Sequence, residues 1–324
     1  MWVCISQNSS NSLEGRDVVD ITDFSREDLE SLFNHTEKIK ENPLRFSKSL
    51  EGKFVALLFF EPSTRTHGSF FTATHRLGGI VYDIREPKAS SAAKGESLFD
   101  TIKMFEGWEY DCIVIRHDLE GTAKYFADKT LIPVINGGDG TNQHPTQAML
   151  DLFTIREAKG KIDGLNIGIM GDLKHGRTVP SLSFALSNYK VRLSYIAPDI
   201  LQVKNSVVRF LDSRNVSYEK VDNVEKVIGK LDILYVTRVQ KERFEEPVEY
   251  EKVKGSYVVN KKLLEKAKPD LKVMHPLPRV EELSYEVDET PHALYFQQAK
   301  NGLYLRMGLL HDIIADKSQF ERNF

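Results

Sequence analysis

Ser63, Thr64, Arg65 and Thr66 follow one another directly after an apolar run and a proline, in the stretch FFEPSTRTHGSFF. Hydroxyl and guanidinium donors in that order suit a helix start that holds an anion. The unpaired N–H groups and the helix dipole favour phosphate there, and an arginine fork grips two oxygens at once. Alone, the tetrapeptide is equally a plain helix start with a capping serine. The loop EPKASSAAKGES (86–97) brings Lys94 among small residues, where it is either solvated or free to swing onto a phosphate. Arg116 and His117 end the apolar run DCIVIR, so they point either toward a ligand crevice or into a salt bridge.

The segment GGDGTNQHPTQAMLDLFTI carries a more specific signal. Its glycines let backbone approach a ligand, and Pro145 suits a first helical turn. His144 and Gln147 then share one face of the helix start. A neutral imidazole placed there can donate to a carbonyl oxygen and stabilise the charge that builds on attack. GDLKHGRT (171–178), TRVQKER (237–243) and MHPLPR (274–279) complete the set. Arg177, Arg238 and Gln240 follow strands and are able to receive carboxylates, with a surface ion pair as the plainer role of each arginine. The prolines of HPLP fix two φ angles and leave the carbonyls of Pro276 and Leu277 without local partners, ready to accept from an amine.

Apolar strands at 53–60, 79–84, 111–116 and 132–135 alternate with helices at about 25–41, 64–77, 96–106 and 120–128. A helix over 144–158 follows, and the rhythm restarts with strands at 165–170, 191–196, 232–236 and 271–274 and helices near 178–188, 203–211 and 261–267. This pattern predicts an α/β chain of two domains, each a parallel sheet flanked by helices, with 144–158 as a bridge. A last helix over roughly 291–314 closes one domain or the other; periodicity leaves open which. Every segment above sits just after a predicted strand, where open parallel sheets bind ligands.

The bulk numbers exclude several classes. The 324 residues suit two cores. With 41% hydrophobic and 28% charged residues, the chain reads as globular. A formal net charge of -3 gives no footprint for nucleic acid or an anionic membrane. Cys4 and Cys112 build no disulfide framework and have no zinc-like spacing; Cys112 reads as a reduced core thiol. With no signal peptide and no membrane span, a cytoplasmic location is expected, and residues 1–13 read as a flexible extension.

Taken jointly and in this order, STRT, HPTQ, DLKxGRT, TRVQKER and HPLPR resemble the catalytic chain of the aspartate/ornithine carbamoyltransferase superfamily, in its aspartate branch, from about Leu13 to Ile314. The resemblance implies transfer of the carbamoyl group of carbamoyl phosphate to L-aspartate, an early step of pyrimidine biosynthesis, with no cofactor and no metal. It implies that Ser63, Thr64, Arg65, Thr66, Ser90, Lys94 and Arg116 bind the phosphate, and that His144, Gln147, Pro276 and Leu277 bind the carbamoyl group. Lys94, Arg177, Arg238 and Gln240 would hold the aspartate, while Glu61 and Arg243 would hold the domains closed. Arg65, Thr66 and His144 would carry the catalysis.

The same resemblance implies a homotrimer with shared sites, because the family's loop reaches in from a neighbouring subunit, and it leaves room for regulatory chains. The carbamoyl-phosphate domain would comprise 14–145 plus about 296–324, and the aspartate domain 146–295. The chain departs from the family at His67 and Phe71, where an arginine and a glutamate usually pair, and at Ala93, where a second lysine is common. The competing readings are ornithine carbamoyltransferase, which usually has a cysteine where Pro276 stands; a non-catalytic homologue acting as a binding protein; and a dehydrogenase suggested by GIMGD, which lacks the GxGxxG fingerprint.

Overall fold

Strand β1 (Phe54–Phe59, FVALLF) buries five of its six residues, because a parallel sheet covered on both faces has no wet side. The same logic makes a core strand of β5 (Asn166–Met170), four of whose five residues are buried. The computed structural model describes residues 13–84, 95–239 and 257–315. Around β1 stand β2 (Ile80–Ile84), β3 (Cys112–His117) and β4 (Val134–Asp139), all parallel, in the order β2-β1-β3-β4. Around β5 stand β6 (Arg192–Ile196), β7 (Ser217–Val221), β8 (Ile233–Val236) and β9 (Lys272–Met274), also parallel, in the order β7-β6-β5-β8-β9. The protein is thus the expected α/β molecule with two parallel sheets. Cys112 is a buried free thiol opposite Val55, and burial raises its pKa.

Among the described residues the helices are α1 (Arg26–Glu41), α2 (Thr64–Arg76), α3 (Leu98–Gly107), α4 (Thr122–Ala127), α5 (Pro145–Lys159), α6 (Thr178–Leu186), α7 (Asn205–Ser213), the single turn α8 (Lys261–Leu264) and α9 (Tyr295–Ile314). Ser25 starts α1 through a reciprocal capping box with Asp28. Gly160, in the left-handed conformation at φ 72°, ends α5. α5 is buried nearly all round and packs against β4 and α6. α9 packs against α1, α2 and α5, and Gly15 N–H donates to Ile313 O at 3.0 Å, tying the two ends of the described chain together.

The reading by periodicity misses β7. Its sequence SYEKV has no apolar run because it is an edge strand, partly or fully exposed along its length. The reading also takes 136–143 wholly as loop, whereas β4 runs through Gly137 and Gly138 to Asp139. The helix expected over 261–267 is only the turn Lys261–Leu264.

Strand order decides where ligands can enter. In the first sheet the chain moves from β1 out to β2, then crosses to β3 on the other side of β1. The second sheet repeats the device: β5, β6 and β7 run outward, and β8 returns to the far side of β5. Crevices therefore open beyond the carboxyl ends of β1 and β3, and of β5 and β8. Gly171 marks the second crevice. It leaves β5 at φ 114°, and a Cβ there would lie 2.0 Å from Thr237 O, just past β8. Gly171→Ala is expected to destabilise the chain by about 2–5 kcal/mol through combined strain and overpacking, read as a lower urea midpoint; an unchanged midpoint would refute the close approach.

Candidate active site

Helix α2 begins at the carboxyl end of β1 with Ser63 extended at its N-cap (φ −156°, ψ 106°), yet the Ser63 hydroxyl makes no capping bond. No carboxylate sits in the first turn. The helix start that could have been plainly capped instead opens into a cavity of about 660 Å³, lined by Ser63, Thr64, Arg65 and Thr66. From the end of β3 Arg116 joins them, and from the start of α5 His144 and Gln147. The second crevice faces the same cavity and contributes Arg177, Arg238, Pro276 and Leu277. Sequence positions more than 200 apart thus line one space.

The charges in this space are mostly cationic, with Glu61 against two of them. Its Oε2 lies 3.0 Å from Arg116 Nε and 2.8 Å from Arg177 Nη2, so one carboxylate joins an arginine from each sheet. Arg177 also donates to Gly140 O at 3.0 Å, and Arg116 to Gly137 O at 3.2 Å. Burial, followed by the nearby Arg177 cation, lowers Arg116 to about 10 despite Glu61. Arg65 is lowered first by the surrounding protein and then by Arg238. An anion entering this cavity meets donors whose charges are already crowded and partly desolvated.

His144 is fully enclosed. Burial pushes its pKa well below the usual histidine range, and the cations of Arg116, Arg177 and Arg306 push it the same way. The ring is therefore neutral at physiological pH, with Nε2 3.2 Å from Thr66 Oγ1. Its backbone N–H donates to Ser181 Oγ at 2.9 Å, anchoring the start of α5 on α6. On the opposite wall, Leu277 sits in the left-handed region at φ 55°, and its N–H donates to His275 Nδ1 at 2.8 Å. Because Nδ1 accepts that bond, the ring N–H sits on Nε2, which lies 2.8 Å from Glu282 Oε1.

Sequence reasoning singled out most of this lining; it quoted His175, Thr178, Thr237 and His275 within motifs without giving them a role and passed over Asp118, and all five also face the cavity. Asp118 follows directly on the strand end at His117, and that position was the available signal. Ser90, Lys94, Gln240 and Arg243 lie outside the described residues. At the two positions that depart from the pattern the chain resembles, His67 is buried with Nε2 2.6 Å from Asp83 Oδ1 and its ring edge-on to Phe59 at 5.0 Å. Phe71 stacks on His67 at 6.1 Å and meets His75 at 4.5 Å. A column of rings holds this face of α2.

Comparison with known proteins decides the family. Residues 16–157 match the model of the aspartate/ornithine carbamoyltransferase carbamoyl-P binding domain, and residues 163–313 match that of the Asp/Orn binding domain. The chain belongs to the aspartate/ornithine carbamoyltransferase family. It is 52% identical over 301 residues to the aspartate carbamoyltransferase catalytic subunit of Thermofilum pendens, covering 93% of this chain and 95% of that one. Among solved structures, the catalytic subunit of M. jannaschii aspartate transcarbamoylase superposes with TM-score 0.85 at 43% identity, covering 95% and 99% of the two chains. The Trypanosoma cruzi aspartate transcarbamoylase in complex with N-(phosphonacetyl)-L-aspartic acid gives TM-score 0.88 at 35% identity, covering 94% and 97%.

Behind the cavity of this carbamoyltransferase lies a buried hub that the sequence did not disclose. Asp151 Oδ1 accepts from Gln147 Nε2 at 2.8 Å and from Gln298 Nε2 at 2.7 Å, and Gln298 Oε1 accepts the His275 N–H at 2.8 Å. One carboxyl group thus links the α5 wall to the loop after β9. Burial raises Asp151 to about 7, against the pull of these amides and of the Tyr235 hydroxyl. Arg306 of α9, also buried and lowered to about 9, donates to Thr146 Oγ1 at 3.2 Å and lies over the Phe70 ring. The unfolded chain releases the Asp151 proton near 3.8, the folded chain near 7. Relative to Asp151→Asn, the parent should therefore lose stability as pH rises from about 4 to about 7, with no further loss above that. Urea unfolding at several pH values checks this; parallel curves for the two proteins would exclude it.

Proposed function

We propose that this chain transfers the carbamoyl group of carbamoyl phosphate to the amine of L-aspartate, giving N-carbamoyl-L-aspartate and phosphate, in the cytoplasmic synthesis of pyrimidines. The observation that carries this reading is the meeting of two arginine-bearing crevices in one cavity of about 660 Å³. One crevice offers a helix start with Arg65 and Arg116, suited to a phosphate. The other offers Arg177 and Arg238, suited to two carboxylates. An acyl phosphate and a dianionic amino acid fit that division of charge. The relatives named above carry the matching activity in their names, and the phosphonacetyl-aspartate bound by the Trypanosoma protein joins both halves in one molecule.

The roles follow from residue chemistry. Ser63, Thr64, Arg65, Thr66 and Arg116, with Ser90 and Lys94, hold the phosphate. The neutral His144 ring, together with Arg65 and Thr66, polarises the carbamoyl oxygen as negative charge develops there. Gln147 and the carbonyls of Pro276 and Leu277 orient the carbamoyl amide. Arg177, Arg238, Gln240 and Lys94 hold the aspartate so that its neutral amine faces the carbamoyl carbon. Attack forms the N–C bond, the C–O bond to phosphate breaks, and the departing phosphate takes the amine proton. Orientation of two bound substrates supplies most of the acceleration, up to about 7–11 kcal/mol. The Glu61 bridge between Arg116 and Arg177, aided by Arg243, favours closure of the two halves.

We assign the carbamoyl-phosphate half to 14–145 with about 296–324, and the aspartate half to 146–295. The return of α9 onto α1 and α2 supports that division. The homotrimer is supported by an apolar edge. Strand β2 ends its sheet with Ile80 and Tyr82 exposed, the Tyr82 ring 6.5 Å from that of the exposed Trp108, and the chain runs from this edge directly into 85–94, which holds Ser90 and Lys94. The name "catalytic subunit" borne by the relatives supports assembly with regulatory chains.

Incubation of the purified chain with carbamoyl phosphate and either aspartate or ornithine should yield carbamoyl-aspartate alone. Carbamoyl-ornithine, or no product, would overturn the reading. Arg65→Ala should lower kcat/KM about 10²–10³-fold. When Arg65→Ala and Lys94→Ala chains are mixed and exchanged, about a quarter of the sites should regain both residues and therefore activity. Exchanged mixtures that remain inactive would refute shared sites.

A further inference from the structure

Away from the active cavity, three metal-binding side chains from the two ends of the chain meet. His35 projects from the middle of α1, and His311 and Asp312 from the last turns of α9. Gly308 makes the meeting possible: a Cβ there would lie 2.7 Å from Thr36 Oγ1, so α9 approaches α1 closely one turn before the cluster. One ligand atom from each of the three residues lies within 4.8 Å of the other two. His35 Nδ1 stands 2.7 Å and His311 Nδ1 3.8 Å from the same Asp312 Oδ1. Tetrahedral zinc with bonds of about 2.0–2.1 Å places neighbouring ligands roughly 3.3 Å apart. The two observed distances straddle that value, within reach of small side-chain rotations.

The surroundings are those of a built site. The His35 and His311 rings meet edge to face at 4.6 Å, and Phe46 closes the cluster edge-on to both, at 5.6 and 5.4 Å. An aromatic wall of this kind lowers the local dielectric and restricts the rings to few orientations. His35 and Asp312 keep 19% and 15% of their side-chain surface in water, which leaves an entry path and a fourth coordination position. Two imidazoles and one carboxylate suit a borderline divalent ion rather than calcium or magnesium, which prefer all-oxygen shells.

We propose that His35, His311 and Asp312 bind a zinc-type divalent ion that staples the C-terminal helix to the first helix. The ion competes with protons for the same ligand atoms, so its binding is linked to pH. By bridging residues 35 and 311, it ties together α1 and α9, which pack against each other.

The full-length chain, stripped with a chelator, is titrated with Co²⁺ as a spectroscopic probe. One equivalent per chain should produce the visible band of tetrahedral cobalt. Zn²⁺ should displace it and raise the thermal midpoint. His35→Gln and His311→Gln should each lose the band and the midpoint shift while keeping the parent far-UV circular dichroism. With nine histidines in the chain, this control separates the cluster from adventitious binding. Zinc-edge X-ray absorption of the loaded parent should read two imidazoles, a result independent of any variant. No band in the parent, a band surviving in both variants, or fewer than two imidazoles at the zinc overturns the proposal.

Discussion

Holding four guanidinium groups close together in a partly buried space shapes much of this molecule. Arg65, Arg116, Arg177 and Arg238 line one cavity, and Arg306 lies buried behind it. Guanidinium groups in partial burial lose hydration and repel one another, and the lowered pKa values of Arg116 and Arg306 record that cost. Such an arrangement persists only if a rigid scaffold imposes it. Here two parallel sheets hold Arg116 at the end of β3 and Arg238 just past β8, and present the starts of α2 and α6 that carry Arg65 and Arg177. Glu61, shared between Arg116 and Arg177, offsets part of the repulsion and couples the two sheets. A cavity poised in this way is complementary to polyanions before any substrate arrives.

Neutral polar groups do the remaining positioning. His144 stays uncharged because it is buried among cations, so it can donate without adding to the repulsion. Behind it, amides and a carboxyl group carry the connection from Gln147 through Asp151 and Gln298 to His275, and from His275 through Leu277 to the cavity wall. Each bond fixes a rotamer of the next residue, which is how a site assembled from six separate segments keeps its geometry. Tight backbone approaches, such as Gly171 against Thr237, supply the same rigidity at the strand ends.

Much of the fold was legible because parallel strands buried on both faces read as continuous apolar runs, and Phe54–Phe59 and Cys112–His117 are such runs. β7 was not, because an edge strand with Tyr218 flanked by serine, glutamate and lysine carries no such signal. The side chains that line the cavity were legible for a related reason. Arginine, histidine and hydroxyl residues placed directly after apolar runs stand out against the pattern, as Arg116 and Arg238 do. Gln298 and Arg306 did not stand out: each lies within the long helix α9, where a polar residue ordinarily faces water.

The alternation of strands and helices, the motifs that follow strands and the resemblance they carry could be read from residue order, because those signals are local or near-local in the chain. Only folding brings Glu61 between Arg116 and Arg177, joins opposite walls of the cavity through Asp151, and sets His35 against His311 and Asp312. These contacts join residues up to 277 positions apart. Nothing in the intervening sequence encodes such distances, which are set by how the helices and sheets pack once their apolar faces are buried.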